Sequence, residues 1–409
     1  MKPLYTNDNG DLLVDDGFSA AALRGSEILR AEDYIPMPEG ATFVSMKGRA
    51  PVICDRKGDY IRGKGTAVAV LLPQGFTRTM LPAAEKTGDP DVLPLLGYTA
   101  AATKKGKVYV AARQTDEHRI WHPRYYNTED LSGRIQKVRK ILKDNRIIAQ
   151  LGRCSLEYGC FTAQNIFYRR WEGGLPVSQS CNARCVGCIS EQESECCPSA
   201  QGRLCFRPSV REIAEVGVFH LGGKRKDNII SFGQGCEGEP SLEAERIVKA
   251  IKIIRANTDR GTINMNTNAG YTDKIKLLTD HGMDSFRVSI FSAIPDHYNA
   301  YYRPKNYRLK DVEASIAYAV EHNVYVSLNL LTFPGFTDRE EEIEALLAFI
   351  DRTGLQKVQL RNLNIDADYF YRQCGFTPER SLGVDALIKA LKESGVAIGN
   401  YSRPHHQSE

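Results

Sequence analysis

The sequence predicts an α/β protein in which an open barrel of six strand–helix units follows a smaller β-rich α+β domain. Three observations predict it. From Ser209 onward, apolar strand candidates alternate with helical patterns, as parallel βαβ units require. Glycine, asparagine and acidic residues gather where those strands end. Residues 41–121, by contrast, carry short β-rich runs broken by Gly, Pro and charged turns, the pattern of a small antiparallel sheet.

Taken in order, TFVSM, TAVAVLLP and KVYVAAR are the first strand candidates. Asn127 and Thr128 then precede EDLSGRIQKVRKILKDN, whose Leu131, Ile135, Val138, Ile141 and Leu142 fall on one helical stripe behind acidic first-turn residues. A domain boundary between this helix and Gly174 divides residues 1–170, a β-rich domain with a helical linker, from a barrel at 171–409. Ser209 and Glu212 form a capping box that opens a helix through His220. Strands follow at Ile229–Phe232, Thr262–Met265, Phe286–Phe291, Val324–Leu331 and Val358–Ile365, and one more lies just before Cys181. Six such units fit a partial (β/α)6 TIM-type barrel, whose ligands collect at the carboxyl ends of the strands. Those ends read GQGCEGEP, NTNAG, SIFSA, NLLTFPGFTD and RNLNID.

With 409 residues, 42% hydrophobic and 25% charged, the chain is long enough for two cores. A net charge of +4 permits an anionic partner without arguing for one. The N-terminal MKPLYTNDNGDLLVDD is acidic and lacks the apolar core of a secretory or transit signal, and no apolar run approaches the ~20 residues of a membrane helix. These features lead to the expectation of a cytoplasmic protein with no membrane contact. In a reducing compartment, eleven cysteines are better explained as metal ligands or reactive thiols than as a disulfide framework.

Three of those cysteines, Cys181, Cys185 and Cys188, stand in CNARCVGC. Structural zinc wants four protein ligands. Three thiolates on one loop would instead leave one corner of a cubane iron–sulfur cluster without a protein ligand. With this CxxxCxxC spacing, and with Gly238-Glu239-Pro240 after the second strand, the region from about Leu175 to Arg403 resembles the radical S-adenosylmethionine (radical SAM) superfamily. Gly187 stands where the family usually has an aromatic residue, and Glu237 where its methionine-binding Gly-Gly-Glu motif begins.

The resemblance implies an enzyme with a 4Fe-4S cluster on the cysteine triplet and S-adenosylmethionine chelated to the open iron. One electron, from a donor such as flavodoxin or ferredoxin, cleaves the sulfonium, and the resulting 5'-deoxyadenosyl radical abstracts hydrogen from a substrate. Glu239 is the candidate acceptor for the methionine ammonium, with Gly238 beside it. A helix N-terminal carboxylate is the plainer reading of Glu239. Arg287 and Ser289 share a face of the fourth strand, where relatives place groups near the methionine carboxylate or ribose.

Asn264, Asn266 and Asn268 alternate along the third strand and so face one way, which suggests a polar ligand across the barrel mouth. Asn329 on the fifth strand and Arg361, Asn362 and Asn364 on the sixth complete a polar ring, although a structural ion pair explains Arg361 nearly as well. Cys154, Cys160, Cys196, Cys197, Cys205, Cys236 and Cys374 lie outside any recognisable ligand spacing, and His405 and His406 sit in a polar tail. HRIWHPRYYN, from His118, and FYRRWE interleave arginine with aromatics. They could stack bases or hold a peptide, or simply pack the sheet against the barrel. A separate folded domain of that kind suggests a protein or RNA substrate, with a small metabolite as the alternative. A zinc-stabilised nucleic-acid or protein-binding module is the reading from another class.

Overall fold

The computed structural model describes residues 1–117, 119–192 and 196–404, so His118, His405 and His406 lie outside the described residues. Antiparallel pairing begins well before residue 41. Lys2–Thr6 pairs with Leu12–Val14, Thr66–Leu71 and Ala101–Lys104, while Arg49–Cys54 pairs with Ser19–Arg24, Tyr60–Arg62 and Ala84–Lys86. Alanines at 20, 22, 100, 102 and 111 form a buried cluster, and such small side chains let the strands pack closely.

Three helices follow where the sequence suggested one: α1 (Leu131–Ile141), α2 (Arg146–Glu157) and α3 (Phe161–Tyr168). Asn145 caps α2 through the Ile148 N–H. Leu131, Ile135 and Val138 are buried as their spacing predicts, whereas Ile141, the last residue of α1, is 65% exposed.

Beyond α3 lies one parallel sheet in sequential order: β1 (Glu172–Gly174), β2 (Ile229–Phe232), β3 (Thr262–Thr267), β4 (Ser285–Ile290), β5 (Tyr325–Thr332), β6 (Lys357–Asn362) and β7 (Ala397–Gly399). Every residue of β2 and β3 is buried, as expected where helices cover a parallel sheet. Seven strands therefore replace the expected six. β7 is three residues long with one buried position, too short to carry a readable period. The helices around the sheet are α4 (Val210–Leu221), α5 (Ala244–Asn257), α6 (Thr272–Thr279), α7 (Pro295–Tyr302), α8 (Leu309–Glu321), α9 (Glu340–Thr353), α10 (Ala367–Cys374) and α11 (Val384–Glu393). The capping box of α4 is formed: the Ser209 hydroxyl accepts from the Glu212 N–H at 3.2 Å, and the Ser209 N–H donates to the Glu212 carboxylate at 2.8 Å.

His220, near the end of α4, is fully buried with Nε2 3.0 Å from the Trp171 carbonyl. Burial pulls its pKa down to about 4, and Arg169 nearby adds to the effect. The unfolded chain takes up a proton near pH 6.5 that the folded chain refuses until about 4, so this group's contribution to stability is lost as pH falls across that window. A depression of that size is worth about 3 kcal/mol. Denaturant unfolding between pH 7 and 4 is expected to fall less steeply in His220→Gln than in the wild type; parallel curves would contradict this.

The N-terminal sheets close one flank of the barrel. β7 pairs only with Lys357–Gln359, which leaves the upper end of β6 without a strand neighbour on that side. The strand Phe76–Arg78 takes the place: the Asn362 side chain accepts from the Arg78 N–H at 2.9 Å and donates to the Phe76 carbonyl at 3.0 Å. Asn400 accepts from the Gly75 N–H at 2.7 Å, and a buried ion pair joins Arg49 to Asp366 at 2.6 Å. Removing one member of such a pair typically costs ~3–5 kcal/mol, because the other charge stays buried.

Candidate functional site

The loop after β1 carries the three cysteines. The Arg184 and Val186 N–H groups donate to the carbonyls of Tyr302 and Tyr301 at the end of α7, both at 3.0 Å, which fixes the loop on the strand ends. Cys181, Cys185 and Cys188 line a pocket of about 150 Å3 together with Arg203 and Arg303. Burial pushes the Cys181 thiol up to about 11 and Cys185 well above its usual value, with the neighbouring cysteines and Glu239 adding to the rise. Thiols held in this way stay protonated until a metal centre supplies compensating positive charge, so they suit metal ligation better than free nucleophilic chemistry. Arg203 Nη2 lies 3.6 Å from the Cys188 sulfur.

GQGCEGEP docks onto this loop through its backbone. The Gly238 and Glu239 N–H groups donate to the carbonyls of Ser178 and Ser180 at 2.9 and 2.8 Å. Gly238 has to be glycine, since a Cβ there would stand 2.0 Å from the Ser180 oxygen. The pairing brings the buried Glu239 carboxylate beside the cysteines. It accepts from Thr267 Oγ1 at 2.5 Å, the Asn268 N–H at 2.8 Å and the Ser241 N–H at 3.0 Å. Glu239 thus also caps the short helical turn Pro240–Glu243, so its plainer reading holds as well. Burial raises its pKa against those donors.

The two departures from the motif have structural explanations. Glu237 stitches the segment leading to the cysteines onto the loop after β2: it accepts from the N–H groups of Val177, Ser178 and Gly233 at 2.7, 3.0 and 2.6 Å. Gly187 leaves room for Tyr301, whose hydroxyl would lie 2.7 Å from a Cβ at that position. An aromatic ring from α7 therefore packs where the motif would carry one of its own.

The asparagines divide into two groups. Asn264 bonds Ser231, Ser285 and Asn266, and Asn266 in turn accepts from Arg287 at 2.5 Å. Asn268 lies beyond the end of β3 and donates to Asn182 Oδ1 at 2.6 Å, at the cysteine loop. Arg287 also reaches Glu172 at 3.2 Å and Ser402 at 2.9 Å, so the structural ion pair weighed for Arg361 exists at Arg287 instead. Arg361 bonds Gln74 and the Asn400 carbonyl, and Asn364 lies past the end of β6. Neither lines the cysteine pocket. Ser289, on β4, pairs in register with Asn329 on β5. Buried Asn329 Oδ1 and Asn182 Nδ2 have no partner among the described residues. An acceptor and a donor left open inside the barrel and at the cysteine loop are what a polar ligand would satisfy.

Asn182, Arg203 and Tyr301 escaped the sequence reading. Asn182 lies within CNARC itself, whereas nothing in the sequence ties Arg203 or Tyr301 to the loop. The arginine–aromatic stretch is largely packing: Trp121 and Tyr126 are buried with Tyr401, and Arg170 stacks over Tyr126, Tyr168 and Trp171. Among the described residues no three His, Cys, Asp or Glu gather as a single metal ion would need, and no helix is long and apolar enough to cross a membrane.

Residues 175–350 match the family model described as the radical SAM superfamily. No curated protein matches the sequence. Among solved structures, the chain is similar to a radical SAM methyltransferase from Sphaerobacter thermophilus, at 14% identity over 56% of this chain and 65% of that one, with a TM-score of 0.41. It is also similar to the FeFe-hydrogenase maturase HydG from Carboxydothermus hydrogenoformans, at 17% identity over 66% and 75% with a TM-score of 0.35. Methylornithine synthase shares 14% identity over 66% and 84%, with a TM-score of 0.36.

Proposed function

Residues 175–350 belong to the radical SAM superfamily, and from that premise we propose that this enzyme holds a 4Fe-4S cluster on Cys181, Cys185 and Cys188 and acts on a small substrate. When bound, the cluster and S-adenosylmethionine supply reductive cleavage of the sulfonium and abstraction of hydrogen from the substrate. The observation that carries the reading is the backbone pairing of Gly238 and Glu239 onto the cysteine loop, which sets a buried carboxylate beside Cys181 and Cys185. Glu239 is there to accept from the methionine ammonium, a charge-assisted hydrogen bond. Asn182 and Asn329 offer the open donor and acceptor. Arg203 points N–H at the Cys188 sulfur, a contact of the kind that tunes cluster potential. The electron comes from a small carrier such as flavodoxin or ferredoxin.

The geometry favours a small substrate over a protein or RNA. Trp121 and Tyr126, on which the macromolecular expectation partly rested, are spent on packing, and the N-terminal sheets cover the open flank of the barrel instead of standing apart from it. Extract from cells grown in deuterated medium, separated into small-molecule and macromolecular fractions, gives the test. Deuterium is expected in 5'-deoxyadenosine when the small-molecule fraction is supplied with reductant, enzyme and S-adenosylmethionine. Transfer from the macromolecular fraction alone would restore the protein or RNA reading, and no 5'-deoxyadenosine in any arm would remove the radical one.

A further inference from the structure

Where the N-terminal sheets meet the upper end of β6, a pocket of about 180 Å3 lies between the two parts of the chain. Its polar wall is Gln74, Arg361, Asn362, Asn364 and Asn400, and among the described residues it contains no acid. Arg361 Nη1 donates to Gln74 Oε1 at 3.1 Å and to the Asn400 carbonyl at 2.8 Å, both neutral. The acid that bears on it, Glu172, is already bonded to Arg287. Burial and the Arg287 charge bring the Arg361 pKa down to about 10, so it remains a cation at neutral pH.

A second guanidinium lies behind the wall of the same pocket, next to its lining residue Gly97. Arg78 is fully buried; its Nη2 donates to the Leu363 carbonyl, and its Nε and Nη1 have no partner among the described residues. The Phe333 ring, 5.9 Å from its Cζ, is the one further favourable contact the guanidinium makes among those residues. Gly97, which lines the pocket, lies against both groups: a Cβ there would come 2.9 Å from Asn364 Oδ1 and 4.0 Å from Arg78 Nη1. A buried cation without a counter-charge is among the costlier features a fold can carry, and with no carboxylate in the pocket wall among the described residues that charge is left for something else to meet.

We propose that this pocket seats an oxyanion of the substrate, a carboxylate or a phosphate, on Arg361, with the unpaired charge of Arg78 behind the Gly97 wall adding to the attraction. The word substrate rests on the functional reading above; the anion site itself rests on these side chains alone. Guanidinium forks match planar or tetrahedral oxyanions in bidentate fashion, and the neighbouring amides can supply further donors. One cation comes from the barrel and the other from the N-terminal sheets, so the site forms only where the two are joined.

Thermal melting of the full chain tests this without using the cluster or any turnover, so the anion site and the radical reading can fail separately. Sodium phosphate and sodium acetate are titrated at ionic strength held constant with chloride, to remove general screening. The wild type is expected to melt higher as one or both probes are added. Arg361→Gln should weaken the apparent affinity at least tenfold, and Arg361→Lys by less, since a point charge keeps attraction but loses the fork. Arg78→Met should melt higher than the wild type in chloride alone and gain less from the probe, because it removes the uncompensated charge. A response to phosphate alone names a phosphorylated substrate, and one to acetate alone names a carboxylate. No upward shift with either probe, or equal shifts in the wild type and Arg361→Gln, would overturn the proposal. So would an Arg78→Met variant that melts lower and responds to the probes unchanged.

Discussion

Protein purified without oxygen is expected to be brown and to carry about four irons, and the variant with Cys181, Cys185 and Cys188 all changed to Ala is expected to be colourless and iron-free. The expected loss is complete because the three thiols line one pocket, while five of the other eight cysteines are engaged elsewhere: Cys154 with Cys236, Cys196 with Cys197, and Cys374 among buried side chains near Arg303. Iron and sulfide analysis, with the visible spectrum, reads the result. Wild-type protein that is colourless and holds one zinc would replace the radical reading with a zinc-stabilised binding module. Iron retained by the triple variant would move the cluster to other ligands.

Glu239→Gln is expected to slow formation of 5'-deoxyadenosine by about 10–150-fold, the equivalent of the ~1.5–3 kcal/mol carried by a hydrogen bond to a charged group. The structure adds a complication that the sequence did not contain. Glu239 already accepts from Thr267, Asn268 and Ser241, so a glutamine would turn an N–H toward one of these donors and disturb the loop as well as remove the charge. Thr267→Val separates the two effects, because it deletes one of those donors and keeps the carboxylate. It should lower the melting temperature while cleavage falls far less than in Glu239→Gln. Equal affinity for S-adenosylmethionine in the wild type and Glu239→Gln would place the ammonium contact on another group.

The barrel was legible because its signals are local. Four buried residues at Ile229–Phe232, and a serine three positions before a glutamate at the start of α4, need no tertiary context to be read. The cysteine spacing is local in the same way. What sequence reasoning missed depends on distant partners. β7 is a strand because β6 lies beside it, and Tyr301 belongs to the site because α7 docks on a loop more than a hundred residues earlier. The polar ring was seen as residues but not as an arrangement: Arg287 and Arg361 share the inner face of the barrel, yet one is bound to Glu172 while the other reaches the N-terminal sheets. Trp121 and Tyr126 show the reverse case, a composition that suits recognition and a burial that assigns them to packing.

The closure of the barrel by Phe76–Arg78 also bears on how the chain is made. Arg78 meets its partner Asn362 across 284 positions of sequence. At ~5–20 residues per second of synthesis, the N-terminal sheets leave the ribosome roughly 15–60 seconds before the strand they complete exists. During that interval the edge at residues 76–78 has no mate from the barrel, and Arg78, later sealed at zero exposure, remains in water. Docking of the two parts therefore waits until residue 362 has been made, late in synthesis. Ribosome-bound chains stopped before residue 362 should expose residues 76–78 to proteolysis that the finished protein resists.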